Sequence, residues 1–354
     1  MLGQDRSDQL VERVRTAIAD GQPLAPRGGG SKEFYGRAVD LPSLDVSSHR
    51  GIIRYEPADQ IIHARAGTTL DDIERLLARQ QQMLPFEPPR FGPGSTLGGM
   101  VAAGLAGPRR PYAGAIRDHI LGVRIINGRG EILDFGSHQV KNQAGYDIPR
   151  LMVGSLGTLG VILSIALRVS PKPEQELTLV QEFNADHALT RLVRLGSQSL
   201  PLTASFWQAG QLYLRLSGHA AAIQAARQQI GGEALRQPGD IWSRLRDHSL
   251  AFFAEEGPLW RIALPPAAPT LSLDGHWLFE WHGQLRWLRD NGRAGRIRQA
   301  AAARGGHATL FRGDLGDIEI FQPLPEPLFA MHRNIKAALD PQHLFNPGRI
   351  YTDL

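Results

Sequence analysis

The sequence predicts an α+β protein of two domains, and three observations carry that expectation. The chain has 354 residues, more than one typical domain and enough for two separate cores. A first stretch of mixed helix and strand patterns ends at Ser170-Pro-Lys-Pro173, where two prolines stop a strand. Beyond it the patterns follow a β-α-β-β-α order, which suits a ferredoxin-like layer.

In chain order, a helix is predicted over Asp8–Asp20: Leu10, Val11, Val14 and Ile18 share a face, and Gly21 supplies a stop. Residues 51–67 read as strand, with Ile62, Ala64 and Ala66 alternating against His63 and Arg65. Thr69-Leu-Asp-Asp72 forms a capping box for a helix whose buried side is Leu70, Ile73, Leu76 and Leu77. The stretch 86–114 is made of small residues and offers close backbone approach in place of bulk. Residues 120–126, the turn Asn127-Gly-Arg-Gly130 and residues 131–135 read as a hairpin. Val161, Leu163, Ile165, Leu167 and Val169 alternate with Ile162, Ser164, Ala166 and Arg168 as a strand. In the second domain, strands are expected at 176–183, TASFW, LYLRL, LWRIAL, HWLFEW and HATLF, with helices near 186–196, 219–229 and 293–303. A last helix spans Glu326–Leu339. No internal repeat is evident.

Composition narrows the chemistry. Apolar residues at 42% and charged residues at 21% describe a folded protein rather than a disordered one. The absence of a signal-peptide pattern at the N-terminus and of any long apolar run predicts no membrane span and a cytoplasmic location. There is no cysteine, which excludes disulfides, thiolate zinc sites, a cysteine nucleophile and an iron–sulfur cluster held by this chain. The net charge of +4 comes from interspersed arginines, so nucleic-acid binding is not expected, whereas a phosphate-bearing ligand or small acidic substrate suits the bias.

Three glycine-rich segments demand a local reason. A diphosphate needs several N–H donors converging on a small volume, and glycine reaches the required positive φ without strain. Gly28, Gly29 and Gly30 can make such a nest, with the Ser31 hydroxyl and the Arg27 charge beside it. Pro93-Gly-Ser-Thr-Leu-Gly-Gly99 opens a small-residue helix whose first N–H groups and dipole would favour a phosphate. Gly154-Ser-Leu-Gly-Thr-Leu-Gly160 leads straight into a strand. Any one of these could be an ordinary turn; three in one domain point to a large dinucleotide. The segment G92-P-G-S-T-L-G98 is one residue too long for the Rossmann fingerprint and no strand leads into it, and there is no P-loop.

With R27-G-G-G-S31, P93-G-S-T-L-G-G99, Y112-A-G-A-I-R-D118, K141-N-Q-A-G-Y-D147, G154-S-L-G-T-L-G-V-I162 and D340-P-Q-H-L-F-N-P-G348 together, the chain resembles the vanillyl-alcohol-oxidase or PCMH-type FAD-binding family. Within it, the resemblance is to the E-type subunits of bacterial glycolate oxidase (glycolate dehydrogenase). It implies a PCMH-type FAD-binding domain of two α/β subdomains over 1–172, an inserted ferredoxin-like α/β cap domain over 173–324, and a C-terminal segment, 325–354, returning to the FAD domain. It places the pyrophosphate loop on Arg27, Gly28, Gly29, Gly30 and Ser31. Second phosphate and flavin contacts fall on Pro93, Gly94, Ser95, Thr96, Gly98 and Gly99. Adenine-side contacts fall on Arg117, Asp118, Gly154, Ser155, Gly157, Thr158, Gly160, Val161 and Ile162, and Asn346 matches a C-terminal asparagine.

Two departures are informative. Ser31 stands where some relatives attach flavin to histidine, and cysteine is absent, so non-covalent FAD is expected. Leu156 stands where catalytic D-type subunits and D-lactate dehydrogenases carry glutamate, and their His-rich metal motif is missing. The resemblance therefore implies a dependent subunit, partnered by a D-type FAD subunit and an F-type iron–sulfur subunit in oxidising a small 2-hydroxy acid, with inner-membrane attachment only through partners. A stand-alone FAD-dependent oxidase or dehydrogenase acting on another 2-hydroxy acid or polyol, and a non-catalytic assembly subunit, are the alternatives.

No catalytic residue is assigned by motif, and no metal site is expected. Among twelve histidines, His282 in E280-W-H-G-Q-L-R286 is the candidate base, since it follows a predicted strand; a structural or surface role is the ordinary reading of it, and of His63, His332 and His343. Asp71-Asp72 and Glu255-Glu256 read as solvated or helix-terminal charges. Trp207, Trp260, Trp277, Trp281 and Trp287 read mainly as core.

Overall fold

The computed structural model describes residues 3–136, 147–236, 239–290, 292–316 and 318–354; Lys141–Tyr146 of the fourth motif lie outside them. Two compact units are present: residues 1–105, 115–171 and 323–354 form the first, and 106–114 with 172–322 the second. Residues 106–114, which the sequence groups with the first domain, thus pack in the second unit.

The first unit holds strands β1 (Ala25–Arg27), β2 (Ser43–Asp45), β3 (Ile52–Glu56), β4 (Ile61–Arg65), β5 (Gln82–Met83), β6 (Ile120–Ile126), β7 (Ile132–Gly136), β8 (Val161–Arg168) and β9 (Ser170–Pro171). β1 and β2 pair in parallel, and a separate antiparallel sheet runs β3-β4-β8-β6-β7. The alternation read in β8 does not expose one face: all its residues but Arg168 are buried, because it is the central strand and both faces are covered. Thr69 caps the helix Leu70–Ala78 as expected, its hydroxyl accepting from the Asp72 N–H at 3.1 Å. Leu70, Ile73 and Leu77 are buried on that helix, while Leu76 is only half-buried.

The second unit is built on one antiparallel sheet of eight strands. In chain order these are β10 (Gln175–Glu182), β11 (Leu202–Gln208), β12 (Gln211–Gly218), β13 (Glu233–Ala234), β14 (Leu259–Ala263), β15 (His276–Glu280), β16 (Leu285–Arg289) and β17 (His307–Arg312). Their spatial order is β13-β10-β12-β11-β15-β16-β14-β17. The first four, with helices Ala185–Gly196 and Ala220–Ile230, form a complete β-α-β-β-α-β ferredoxin-like half. The last four repeat its strand order in mirror sequence, with the helix Ala294–Ala302 before β17 and irregular chain between β14 and β15. Here the structure corrects the sequence reading: a repeat exists in topology although none survives in residues.

One face of this sheet is apolar and carries the helices. Leu179, Leu214, Leu192 and Ile223 pack together in the first half, and Trp260, Ile262, Leu310 and Ile297 in the second. Burying each such side chain contributes about 1.5–3 kcal/mol. Irregular segments are held differently, by guanidinium forks. Arg286 donates to the carbonyls of Gly283, Ala268 and Pro269; Arg289 to those of Phe252, Phe253 and Gly257; Arg298 to those of Glu319, Ile320 and Phe321. Five fixed donors suit a task that cysteine cannot perform in this chain.

Glu280, at the end of β15, is buried at 4% exposure, and Trp287 Nε1 donates to its carboxylate at 2.6 Å. Burial raises its pKa from 4.5 to about 7, against the opposing Trp287 bond. The folded state therefore holds a proton that the unfolded chain releases above pH 4.5. Stability from this group is full below that value and is lost as pH rises through about 7, by about 3 kcal/mol. Glu280→Gln keeps an acceptor for Trp287 and should flatten stability between pH 5 and 8, measured by urea unfolding; an unchanged slope would refute the assignment.

Candidate functional site

The first unit contains a cavity of ≈ 290 Å³. The loop after β1 forms one wall. Among the described residues, the N–H groups of Gly28, Gly29, Gly30 and Ser31 donate to no protein acceptor, and all four residues line the cavity. Gly30 lies at φ +72°, the left-handed conformation that turns successive N–H groups the same way. Four backbone donors without a protein acceptor, on residues that line one cavity, suit an anionic diphosphate.

The second glycine segment lies against the first. Its helix, Leu97–Ala103, has only seven residues, and its first N–H groups are already used. Leu97 donates to Thr68 O at 2.9 Å, Gly98 to Ala66 O at 2.8 Å and Gly99 to the Thr96 hydroxyl at 3.2 Å. Thr96, Gly98, Gly99, Ala102 and Ala103 line the cavity with small residues. Gly94 backs the first loop so closely that a Cβ on Gly29 would stand 1.5 Å from Gly94 O. Lys32 ties the two loops, its ammonium donating to Ser95 Oγ at 2.7 Å and to Arg90 O at 3.3 Å.

The third segment and the C-terminus close the cavity. Leu156, Gly157, Gly160, Val161, Ile162 and Asn346 line it. Leu156 sits at φ +50°; its N–H bonds Ala102 O and its own carbonyl accepts from Asn346 Nδ2, each at 2.9 Å. The structure thus brings Arg27, Gly28, Gly29, Gly30, Ser31, Thr96, Gly98, Gly99, Gly157, Gly160, Val161, Ile162 and Asn346 around one space.

The lining does not include the other residues that the sequence singled out. Pro93, Gly94 and Ser95 are not part of it, and Thr158 spends its hydroxyl on Ser155 O at 2.8 Å. Gly154 donates to Val101 O, and Ser155 Oγ is buried without a hydrogen-bond partner among the described residues. Arg117 offers its carbonyl to Arg150, and the Asp118 carboxylate caps the Ala115 N–H at 2.8 Å. Sequence reasoning missed Lys32, Glu33 and Arg349, all of which line the cavity. For Lys32 the signal was its place directly after the glycine run; for Arg349 nothing local marked it.

A second cluster lies in the second unit. Trp281, His282 and Gly283 follow β15 in three successive left-handed conformations, φ +50°, +56° and +77°. Trp281 Nε1 donates to Gly107 O at 3.0 Å, and Arg110 and Arg261 stack on its ring. His282 Nδ1 bonds Leu192 O at 3.3 Å, which fixes the proton on Nδ1, so Nε2 accepts from the Tyr112 hydroxyl. Burial holds the imidazole pKa below its ordinary value and raises that of the phenol. Both nitrogens of the candidate base are therefore committed to the protein, and the turn serves as the dock for residues 106–114.

A family model described as an FAD binding domain matches residues 5–136. Along its whole length the chain is similar to glycolate oxidase subunit GlcE of Escherichia coli, 46% identical over 351 residues and covering 99% of each chain. This chain belongs to the PCMH-type FAD-binding family, as a GlcE-type member. Other members of the family match over part of the chain. Mitochondrial D-lactate dehydrogenase [cytochrome] of Arabidopsis thaliana is 29% identical over 46% of this chain and 26% of its own length. Glycolate oxidase subunit GlcD of Bacillus subtilis is 26% identical over 57% and 44% respectively. Among solved structures, alkyldihydroxyacetonephosphate synthase superposes with a TM-score of 0.67 over 96% of this chain and 75% of its own, at 15% identity, which is a likeness of fold. FAD binding follows from membership of the family, and the antiparallel sheet of the second unit is the inserted cap. Among the described residues no helix is long and apolar enough to cross a membrane, and no cluster of metal-ligating side chains occurs.

Proposed function

We propose that this chain is the FAD-binding E-type subunit of a glycolate-oxidising complex, acting with a D-type FAD subunit and an F-type iron–sulfur subunit. The end-to-end likeness to GlcE carries this reading, since the D-type relative matches over only part of either chain. Dissociable FAD is held by Arg27 and Gly28–Ser31 at the diphosphate, by the small residues Thr96, Gly98, Gly99, Ala102 and Ala103, and by the wall of Gly157, Gly160 to Ile162 and Asn346. Bound flavin supplies acceptance of a hydride equivalent from a CH–OH carbon, and oxidation of glycolate to glyoxylate releases two electrons and two protons.

The residues of this chain orient the cofactor and keep water from it. With no cysteine to ligate a cluster here, the electrons leave to an iron–sulfur partner. The engagement of both His282 nitrogens supports a dependent role, because the one histidine singled out as a base has no lone pair to offer. Glycolate-dependent dye reduction should be negligible for the FAD-loaded chain alone and should appear on co-expression with D-type and F-type subunits. Turnover by the chain alone would replace this reading with that of a self-sufficient dehydrogenase.

A further inference from the structure

We infer that Arg349 is a positioning residue for the bound dinucleotide, acting by bracing the chain that follows the glycine loop against the C-terminal tail. This rests on the FAD reading of the cavity. A diphosphate needs N–H groups around it and no inward carbonyls, because each C=O is an acceptor with its negative end outermost. The loop after β1 lines the cavity, and the carbonyls of the chain that follows it, over residues 31–40, belong to neither helix nor strand.

Arg349 absorbs three of them. Its Nη2 donates to Glu33 O at 2.7 Å and Tyr35 O at 3.0 Å, and its Nη1 donates to Arg37 O. The Arg37 N–H returns to Arg349 O at 2.9 Å, so the tail and the loop are laced in both directions. The same side chain lines the cavity, where it places a second positive charge near Arg27, whose own partner is Glu33 at 3.2 Å. The guanidinium reaches these three carbonyls from two separate nitrogens of a planar fork, whereas an ammonium would have to reach them from a single point.

Arg349→Lys and Arg349→Met separate the fork from the charge. FAD dissociation constants would be measured for the full chain by flavin fluorescence quenching, with circular dichroism of the FAD-free proteins to verify the fold. We expect both variants to fold and to weaken FAD about tenfold or more. Either folded variant binding within about twofold of wild type overturns the inference, the lysine variant by showing that charge alone suffices without the fork. Failure of both variants to fold also overturns it, by making Arg349 a folding residue. If the wild-type chain does not bind FAD, the reading of the cavity fails instead, which is a separate result.

Discussion

Gly29→Ala should reduce FAD affinity on the order of a hundredfold, the largest effect expected of any single methyl group in this chain. The added Cβ would stand 1.5 Å from Gly94 O and 2.4 Å from its carbonyl carbon. Both are backbone atoms, so no rotamer change relieves the clash; the two loops must move apart. Their separation opens the wall that carries the free N–H groups of Gly28–Ser31. Overpacking of this kind also costs about 1–3 kcal/mol of stability. Gly295→Ala is the control: it lies in the helix Ala294–Ala302 with nothing within 4 Å of the new Cβ, and alanine favours a helix by about 1 kcal/mol. Equilibrium titration with FAD checks the pair, and near-normal binding by the Gly29 variant would show that the loops do not form the site.

Lys336→Met should destabilise the protein by about 3–5 kcal/mol. Lys336 and Asp340 both have 0% side-chain exposure and face each other at 2.7 Å. The ammonium spends its other two donors on Thr158 O and Phe345 O, each at 2.7 Å. The carboxylate accepts in turn from the Leu344 and Phe345 N–H groups at 2.9 and 2.8 Å. Removing the lysine leaves a buried carboxylate without its counter-charge and two carbonyls without donors. It also frees the chain on both sides of Asn346 and the third glycine segment, so FAD retention should fall with stability. Urea unfolding of the single variant and of Lys336→Met with Asp340→Asn tests this, and the double variant should recover part of the loss. A loss below about 1 kcal/mol for the single variant would contradict the account.

The cofactor cavity was legible in sequence where conformation itself is encoded by residue type. Three adjacent glycines announce an unusual backbone, and the nest at Gly28–Ser31 is where that backbone lies. The segment Pro93–Gly99 has a similar composition, yet the N–H groups of Leu97, Gly98 and Gly99 meet Thr68, Ala66 and Thr96. Composition alone does not tell a donor that faces a ligand from one that faces a neighbouring strand. Lys336 and Asp340 are four apart, a spacing that reads equally as a solvated helix pair; only burial makes it a fastener. Arg349 reaches carbonyls more than three hundred residues away along the chain, and no local pattern encodes such a contact. The left-handed turn at Trp281 and His282 was illegible because a bulky tryptophan rarely adopts that conformation. The repeat within the eight-stranded sheet was hidden because strand order follows pairing, which many unrelated apolar sequences satisfy.

The two halves of that sheet meet across β11 and β15 through three residue pairs, Phe206↔Glu280, Trp207↔Phe279 and Gln208↔Leu278. Inside the halves, β10 and β12 share eight pairs and β14 and β16 share five. The seam is therefore the natural boundary between two cooperative blocks, each with its own apolar cluster. Phe279 crosses it to join the core of the first block, and Trp277 touches both. Glu280, the buried carboxyl whose pKa burial raises, occupies the same seam. The cap is thus one folded layer whose halves are joined by a short strand pairing, so local opening should begin at that joint rather than inside either block.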